Sequence, residues 1–556
     1  MWSTIVPYIP GWIIFVQAAI TLICPLGIYF TYQKLYAFVG SGRGPRTKRV
    51  SSASPHKAAS TAGSLVSGRY EADLTLIKQA VAGNSDVHIR EFVVSGHGLR
   101  AALVFVEGLQ DEEMINKQVM QPLMREVRTG SAPDREGFRE PVTLSGLKEN
   151  LLPLTELEEV QELEKLQELV LFGYTLLIMD GIPAGLLVGL PHGSVRTITE
   201  PTSEALLRGP RISFSEVLSE NTSMLRRQGL NKNLEMKLYE VGSLVKRKLV
   251  LAYINDIVNP DLLKEVMNRV SKIDMDFIAE SGYVEQLIED NYLSPFQQAL
   301  NTERPDRVIS ALLEGRIGIL LDGTPFALIV PVTFSMLLQS PEDYYERWLP
   351  GSLLRMLRFF ASFMALMAPA LYISFISFHP GLIPTELVIS IIETRQGVPF
   401  PSVIEVLILE ISIEILREAG IRLPKPIGPA MGIVGGLIIG DAAVQAGIVS
   451  PFLVIVVAVT AISSFSIPLY SAGITLRVLR FIGMGFAAFL GMYGTILFFL
   501  LILIHLSKLK SFGTPYVTPF SPIRLSDWKD LYIRAPLSIM KRRPEMMKPQ
   551  KNRRRS

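Results

Sequence analysis

The sequence is poor in the side chains that form covalent cross-links and metal sites. Only one cysteine, Cys24, occurs among 556 residues, which excludes an intrachain disulfide and a cysteine-rich zinc site. No two of the six histidines have ligand spacing on one helix; they stand at positions 56, 88, 97, 192, 379 and 505. We therefore expect neither a metal site nor a cofactor.

The common catalytic motifs are also missing. The sequence contains no Gly-x-x-x-x-Gly-Lys-Ser/Thr phosphate loop, no His-Glu-x-x-His helix and no Gly-x-Ser-x-Gly nucleophile turn. An enzyme needs a nucleophile, an acid or base, or a bound electrophile in a defined arrangement. This search predicts a protein without catalytic residues that is not an enzyme.

Apolar residues are abundant and unevenly distributed. The hydrophobic share is 49%, the charged share is 19%, and the mean hydropathy is +0.32. These averages are too apolar for a wholly soluble protein and too charged for a wholly embedded one, and they exclude a disordered chain. The length predicts two to four modules. We expect a soluble part joined to a membrane part.

Long apolar runs mark the predicted membrane part. Four runs reach or approach the ~20 residues that span the bilayer as a helix: 353–378, 427–447, 451–470 and 481–505. A shorter run, 402–416, carries Glu405, Glu410 and Glu414. A separate run, 12–32, lacks the basic region and cleavage site of a signal peptide. We interpret it as an uncleaved anchor helix; the alternative is an upstream start-site artefact.

Basic residues flank these runs and predict their orientation. Arg355 and Arg358 begin one run, Lys508 and Lys510 follow the last, and the segment 541–555 holds eight basic residues against one acid. Because positive flanks stay cytoplasmic, we expect the N-terminus outside, a large cytoplasmic region before Arg355 and a cytoplasmic tail. Arg477 and Arg480, which precede a run, are interpreted as topological anchors.

The flanking charges leave a parity problem. Starting and ending on the cytoplasmic side needs an even number of crossings after Arg355, whereas five apolar segments follow it. The doubtful stretch is 384–416, which contains several glutamates and prolines. Charged backbone segments persist at membrane depth only against protein or water. We expect this stretch to be either a re-entrant element or the lining of a wet cavity.

Two pairs of similar segments indicate a duplication in the soluble part. Segments 103–124 and 251–270 each read as an apolar strand, a turn and an amphipathic helix. Segments 176–191 and 318–333 each read as a strand, Asp-Gly-x-Pro and a second strand. Because the two offsets are nearly equal, they predict a repeated α/β unit. The Asp-Gly turns are either ligand loops or plain turns, and the plain turn is favoured.

A charged connector lies between the two units. It includes residues 200–211 and 221–227, which combine glutamates with several arginines. These charges form either a buried ion-pair connector or a binding patch, and the structural interpretation is the more common one.

The membrane part has two notable patterns. A stripe of small residues recurs every four positions: Gly428, Gly432, Gly436 and Gly440. It predicts helix packing, either at a subunit or gate interface or within an ordinary bundle. Glu410 and Glu414 share a helical face, with Glu405 about 140° away. These glutamates either form acidic rings that favour cations in an oligomer or sit in headgroup water on an interfacial helix.

Several longer motifs resemble one family, the A subunits of GerA-type bacterial spore germinant receptors. The motifs are EPTSEALLRGPR (200–211), NTSMLRR (221–227), LLDGTPFALIVPVTF (320–334), SPEDYYERW (340–348), HPGLIPTEL (379–387), GVPFPSVIE (397–405), REAGIRLPKPIG (417–428), GGLIIGDAAVQAG (435–447) and LKSFGTPYVTPFSP (509–522). The resemblance covers roughly residues 75–530 in order.

The resemblance implies a membrane protein of the dormant spore's inner membrane. Such A subunits act with a transporter-like B subunit, which senses the nutrient, and a lipoprotein C subunit. They look like the ion-conducting or signal-transmitting part, as a ring of copies in contact with lipid and monovalent cations. Nucleic acid is not an expected partner. Because family members begin with a hydrophilic stretch and this chain has the apolar run 12–32, a downstream channel paralogue stays an alternative.

The predicted fold class is a cytoplasmic region of two duplicated α/β units joined to an α-helical multi-pass transmembrane region. The predicted domains are an anchor helix (1–35), a basic flexible linker (36–72), the first α/β unit (73–200), a connector (201–240), the second α/β unit (241–350), a transmembrane helical region (351–508) and a basic cytoplasmic tail (509–556).

Three functions follow from these patterns. The first is a germination subunit that forms an oligomeric, cation-permeable gate with Glu405, Glu410 and Glu414 along the ion pathway. The second is a non-conducting scaffold or relay, which would have no water-wide axial path. The third, a secondary transporter, predicts inverted repeats in the membrane part, and the detectable repeat lies in the soluble part.

Overall fold

A computed structural model describes residues 65–95, 98–124, 157–189, 200–201, 203–422 and 440–554. All of them belong to one unit of the chain, residues 63–556. The predicted anchor 12–32, most of the predicted basic linker, and Gly428, Gly432 and Gly436 lie outside the described residues.

Two five-stranded antiparallel sheets form the first half of the described chain. The first region contains α1 (Tyr70–Val81), β1 (Val87–Val93), β2 (Arg100–Val106), α2 (Glu112–Met114, Ile115–Met120 and Gln121–Met124), β3 (Leu157–Val160), α3 (Leu163–Leu171), β4 (Thr175–Met179) and β5 (Gly185–Val188). The second contains α4 (Leu218–Gln228), β6 (Leu234–Val241), β7 (Arg247–Ile254), α5 (Pro260–Val270), α6 (Ser281–Ile288), β8 (Leu300–Thr302), α7 (Pro305–Leu313), β9 (Ile317–Leu321) and β10 (Ala327–Val330).

The two sheets have the same strand order. The first runs β1-β2-β4-β5-β3 and the second runs β6-β7-β9-β10-β8. The central strands β4 and β9 are buried at every residue, as their unbroken apolar runs predict. The two predicted α/β regions are therefore confirmed, and their common strand order is what a duplication produces. The second region begins earlier than predicted, because α4 and β6 form within the predicted connector 201–240.

The two Asp-Gly turns have a structural role that explains their repetition. Gly181 and Gly323 have φ values of 82° and 83°, which favour glycine, and they join β4 to β5 and β9 to β10. The Asp180 carboxylate accepts the backbone N–H of Tyr70 at 3.4 Å, and Asp322 accepts that of Leu218 at 3.2 Å. Each aspartate thus satisfies the first free N–H of a helix, α1 or α4. These contacts support the plain-turn interpretation.

A buried ion pair joins the two α/β regions. Arg226 on α4 is 2% exposed, and its guanidinium contacts both oxygens of Asp86, which is 8% exposed. The same guanidinium donates to the Asn84 side chain at 2.8 Å. Ser85 donates its backbone N–H to the Met236 carbonyl of β6 at 2.8 Å. The charged connector therefore contains a buried ion pair, one of its two predicted forms.

The second half of the described chain is helical. It contains α8 (Phe334–Leu338), α9 (Glu342–Tyr345), α10 (Trp348–Ser377), α11 (Thr385–Arg395), α12 (Ser402–Arg422), α13 (Gly440–Gln445), α14 (Pro451–Phe465) and α15 (Tyr470–Lys508), followed by β11 (Lys510–Ser511) and β12 (Thr514–Pro515). By length and composition, two of the described helices, α10 and α15, could cross a membrane, and α14 is a shorter apolar helix. The multi-pass region stays a prediction on this count.

The element α15 reverses direction at Gly491. The φ and ψ angles of Gly491 are 59° and −136°, a conformation that is not helical. The rings of Phe486 and Phe498 lie 5.7 Å apart, whereas a straight helix separates residues twelve positions apart by about 18 Å. The two halves of α15, residues 470–490 and 492–508, therefore pack against each other as an antiparallel hairpin.

This hairpin depends on a close approach at Gly494. A Cβ atom at Gly494 would lie 2.1 Å from the backbone carbonyl oxygen of Phe486, which cannot move aside without bending the helix. We expect Gly494→Ala to destabilise the protein in detergent by about 1–3 kcal/mol, the usual effect of an added methyl in a packed site. Gly485→Ala is the matched control because its Cβ would meet no atom of the described residues within 4 Å. Equal melting temperatures for the two variants would contradict the hairpin.

Hydroxyl pairs define the end of the helix bundle that lies far from the α/β regions, here called the distal end. They are Ser377 with Ser402, Tyr372 with Ser450, and Ser374 with Thr495. Because Ser377 ends α10 and Ser402 begins α12, these two helices run in opposite directions. Since Ser450 precedes α14, that helix also begins at the distal end.

Candidate functional site

The three predicted glutamates lie on α12, and each contacts an arginine of the same chain. The pairs are Glu405 with Arg395 at 2.6 Å, Glu410 with Arg480 at 2.9 Å, and Glu414 with Arg477 at 2.9 Å and Arg417 at 3.3 Å. We call these seven side chains the α12 charge array. In it the structure brings together all three predicted site glutamates along one helix.

Helix periodicity explains how the array assembles. Glu410 and Glu414 are four residues apart and share one face of α12. Arg477 and Arg480 are three residues apart and share one face of the first half of α15. The two faces meet, so the interpretation of these arginines as topological anchors missed their contacts with α12. Each pair is spaced by about one helical turn, and this common spacing is the sequence signal that could have indicated the contact.

Burial differs along the array. Glu405 is 0% exposed, and both Glu410 and Arg480 are 1% exposed, whereas Glu414 is 37% exposed. The second oxygen of Glu405 also accepts the backbone N–H of Ser450 at 3.2 Å. A carboxylate can stay buried at low cost only when a counter-charge and hydrogen bonds compensate for lost water. Glu405 satisfies both conditions within the chain.

The central pair is less completely satisfied. Within the described residues, Glu410 Oε1 and Arg480 Nε are buried and have no hydrogen-bond partner. Arg480 Nη2 lies 2.9 Å from Glu410 Oε2, which is close enough for an ion pair. The geometry of this contact is not that of a hydrogen bond, so Nη2 also has no hydrogen-bond partner among the described residues. Unmet hydrogen bonds of a buried charge raise the free energy of the arrangement. Moving Glu410 out of the array therefore breaks fewer hydrogen bonds than moving Glu405 would.

Gly440 is the one member of the predicted glycine stripe that lies within the described residues. It is half-buried, and a Cβ atom there would lie 3.8 Å from the Val454 side chain of α14, an ordinary packing distance. Nearby, Gln445 donates to the exposed Asp441 carboxylate at 2.9 Å. The packing role of Gly428, Gly432 and Gly436 stays a prediction.

A second cluster joins the helix bundle to the second α/β region. Both ends of α15 contact the loop 289–298, which follows α6. The Thr475 hydroxyl donates to the Pro295 carbonyl at 2.7 Å. Near the other end, His505 Nε2 hydrogen-bonds Ser294 Oγ at 2.9 Å, and its ring stacks on Phe296 with centroids 6.1 Å apart. We call these contacts the α15 junction, and they hold one loop between the two halves of the hairpin.

The chain that follows α15 strengthens this junction. Ser511 donates its hydroxyl to the Gln298 carbonyl at 2.7 Å, and the Tyr516 hydroxyl donates to the Gln297 carbonyl. Burial raises the pKa of Tyr516 well above its usual range, so this hydroxyl keeps its proton and remains a donor. On the neighbouring α6, burial and the nearby acids Glu289 and Glu280 raise the pKa of Glu285 to about 8.

The start of α10 is fixed by another buried ion pair. Arg355 and Asp343 are both fully buried, and Arg355 Nε lies 3.2 Å from the carboxylate. Arg355 also contacts Asp530 of the C-terminal segment at 2.8 Å, and Arg358 contacts Asp343 at 2.7 Å. The arginines that predicted the orientation of this helix thus also connect it to α9 and to the C-terminal segment.

Comparison with known proteins places the chain among spore germination proteins. Residues 75–546 match the family described as Bacillus/Clostridium GerA spore germination protein. The chain belongs to this GerA family, as the motifs in the sequence indicate.

Close relatives cover most of the chain. Spore germination protein GerLA of Bacillus cereus is 42% identical over 85% of this chain and 94% of its own length. Spore germination protein B1 of Bacillus subtilis (strain 168) is 42% identical over 86% of this chain and 97% of its own length. Among solved structures, the crystal structure of the N-terminal domain of the A subunit of the Bacillus megaterium spore germinant receptor GerK3 is 34% identical, covers 49% of this chain and 98% of that chain, and has a TM-score of 0.38.

Proposed function

We propose that this chain is the membrane A subunit of a spore germinant receptor, located in the spore inner membrane. It acts with B and C subunits and passes a movement between its α/β regions and its helix bundle. The observation that carries this proposal is the α15 junction. Because Thr475 and His505 hold the same loop, a displacement of the second α/β region moves both halves of α15 together.

In this proposal, five described segments pass through the bilayer: α10, α12, α14 and the two halves of α15. The predicted crossing 427–447, most of which lies outside the described residues, stays an expectation that would make the number even. The described helix α12 runs from the distal end past the Arg417–Ser464 contact, and Gly440 lies near Val454, close to the start of α14. The reversal at Gly491 divides the predicted run 481–505 between two passages, which the count of five apolar segments did not include.

An even number of passages agrees with the position of the C-terminal segment. Gln550 donates its side-chain amide to the Val258 carbonyl at 2.7 Å, and Arg543 donates to the Leu313 carbonyl at 2.7 Å. The chain after the bundle therefore meets the α/β region that precedes it. This contact supports cytoplasmic placement of both the α/β regions and the tail, as the basic flanks predict.

The α12 charge array acts in this proposal as the closed state of a cation gate formed by several copies. Each glutamate is neutralised by arginine while the gate is shut. A shift of α15 relative to α12 withdraws Arg480 from Glu410, and the freed carboxylate then faces permeating monovalent cations. The incomplete hydrogen bonding of Glu410 supports it as the position that changes first.

A relay without conduction is the second candidate. The observation that favours it is the pairing of all three glutamates with arginines of the same chain, because paired carboxylates need no ion pathway to be stable. In this candidate the movement of α15 passes to another membrane protein. A downstream channel of the same family is a further form of the first candidate.

Ion flux in liposomes separates the two candidates. We expect the assembled protein, reconstituted with B and C subunits, to conduct cations, and Glu410→Gln to reduce cation selectivity because it removes the charge that faces the ion. Glu418→Gln is the matched control, since Glu418 lies two turns away on α12 in an exposed pair with Arg422. Absence of flux in every preparation would favour the relay, and unchanged selectivity would remove Glu410 from the pathway.

A further inference from the structure

A cavity lies between the second α/β region and the C-terminal segment, well separated in the fold from the α12 charge array. Its volume is about 610 Å³, which is within the ~300–1,000 Å³ of small-molecule sites. One wall comes from α7, α8 and α9, and the other comes from residues 519–531 and 539–546 with Arg554. None of the three predicted glutamates lines this cavity, which we call the tail cavity.

The carboxylates that line the tail cavity are already engaged. Asp306 pairs with Arg304 at 3.0 Å and accepts from the Tyr345 hydroxyl. Asp530 contacts Arg355 and the Tyr344 hydroxyl, the latter at 2.7 Å. The remaining engaged acids are Glu314, between Arg316 and Arg554, and Asp527, which accepts the backbone N–H groups of Glu545 and Met546. Glu545 stands exposed at the rim.

Several lining cations lack such partners. Within the described part of the chain, Lys529, Lys541 and Arg542 form no ion pair, and all three are exposed toward solvent. Among the described residues, the Arg543 side chain donates only to backbone carbonyls, those of Leu313, Lys551 and Arg553. The cavity therefore has an excess of positive charge that the described residues do not neutralise.

Like charges also stand close together at one side of the cavity. Burial and the neighbouring guanidinium of Arg554 lower the pKa of Arg543. Arg554 Nε is buried and has no acceptor among the described residues. An anion placed between these side chains would relieve the repulsion and supply the missing acceptor.

The other lining residues of the tail cavity, and its location in the fold, indicate which class of ligand it could bind. Tyr344 and Tyr345 contribute aromatic surface, and Met336 and Ile539 contribute apolar surface. The cavity lies beside the start of α10, because Asp530 on its wall contacts Arg355. A ligand that combines a multiply charged anion with a less polar body fits these walls.

From the tail cavity and its unpaired cations we infer a binding site for a phosphate-bearing ligand. Phosphate presents several charged acceptors, which matches a cluster of arginine and lysine donors. The ligand is either a soluble phosphorylated compound or the headgroup of an anionic phospholipid at the cytoplasmic surface. This inference does not depend on whether the protein conducts ions.

Thermal unfolding of the full chain in an uncharged detergent tests the site. Sodium pyrophosphate is the soluble probe, and a short-chain phosphatidylglycerol is the lipid probe, with the matching net-neutral phosphatidylcholine beside it. The test variant is Lys541→Gln/Arg542→Gln, because neither side chain makes a described contact that the fold needs. The control variant is Lys264→Gln/Lys272→Gln, which removes the same charge from exposed positions outside the cavity.

We expect at least one anionic probe to raise the melting temperature of the wild-type chain, and the apparent Kd to rise about tenfold or more in the test variant alone. The loss of two charge-assisted contacts to the probe accounts for such a change. A response to pyrophosphate identifies a soluble ligand, and a response to phosphatidylglycerol alone identifies a lipid headgroup. The site is refuted if neither probe stabilises the wild type, if phosphatidylcholine acts equally well, or if both variants respond like the wild type.

Discussion

Arg226→Met is expected to destabilise the packing of the two α/β regions by about 3–5 kcal/mol. The substitution leaves the buried Asp86 carboxylate without a counter-charge and Asn84 without a donor. A buried charge that loses its partner keeps the cost of desolvation without the compensating attraction. The effect should appear in chemical unfolding of the full chain as a lower midpoint for the transition that reports on these regions.

Lys232→Met is the matched control for this experiment. Lys232 also connects the two regions, through a 2.7 Å contact with Glu164, but both side chains are exposed. Exposed pairs contribute only about 0–1 kcal/mol, so this variant should unfold almost like the wild type. The double variant Asp86→Leu/Arg226→Met should recover much of the loss, because it removes both buried charges. A small effect of Arg226→Met would mean that the two regions are held together by other contacts.

Arg480→Met is expected to have a comparable effect on the helix bundle. Glu410 would remain buried on α12 without its arginine, at a cost of about 3–5 kcal/mol. The double variant Glu410→Met/Arg480→Met removes both charges and should be closer in stability to the wild type. We expect a large, favourable coupling free energy in the resulting double-mutant cycle.

Unfolding in detergent, followed by heat or by increasing sodium dodecyl sulfate, measures this cycle. Arg422→Met provides the control, since Arg422 and Glu418 form an exposed pair on the same helix. If Arg480→Met were no more destabilising than Arg422→Met, the Glu410–Arg480 contact would not hold α12 to α15.

Local patterns predicted the α/β part of the fold well. The strands β4 and β9 are unbroken apolar runs, and the Asp-Gly turns need only a glycine that accepts positive φ. These features are encoded within a few neighbouring residues. The contacts of Asp180 and Asp322 with helix N-termini could not be predicted, because they join segments about a hundred residues apart.

The helical part was harder to predict because its decisive features are tertiary. The apolar run 481–505 reads as one crossing, but a single glycine at position 491 reverses the chain within it. Hydropathy does not detect such a reversal, since both sides of Gly491 are apolar. Because the charged residues of 384–416 are apparent in the sequence, that stretch was identified as the doubtful membrane segment. The reversal within α15 was not predicted.

The candidate site was predicted in part. Helical spacing identified Glu405, Glu410 and Glu414 as neighbours on α12, and their role in an ion pathway stays a prediction. Two of the arginines that pair with them, Arg477 and Arg480, lie about sixty to seventy residues later in the chain, so their contribution needed the structure. The sequence argument weighed only neighbouring copies and water as shelter for these acids. The structure adds arginines of the same chain.

In the proposed function, the α15 junction passes movement between the second α/β region and the helix bundle. The most direct test measures cation release, after addition of a nutrient mixture, from spores in which a variant replaces the wild-type chain. Thr475→Val/His505→Phe removes two of the three described side-chain hydrogen bonds from α15 to the loop, leaving that of Ser471 to Gln297, and keeps the side-chain volume and the stacking on Phe296. Ser507→Ala is the control, because the one hydrogen bond that the Ser507 hydroxyl makes to a described residue is to Ile504 of its own helix.

With equal amounts of protein in the membrane, we predict that release slows by about tenfold in the double variant, the size of a typical coupling free energy between sites. The Ser507→Ala spores should respond like the wild type. Release at the wild-type rate in the double variant would contradict this role of the junction, because two of its hydrogen bonds could then be lost without any effect on the response.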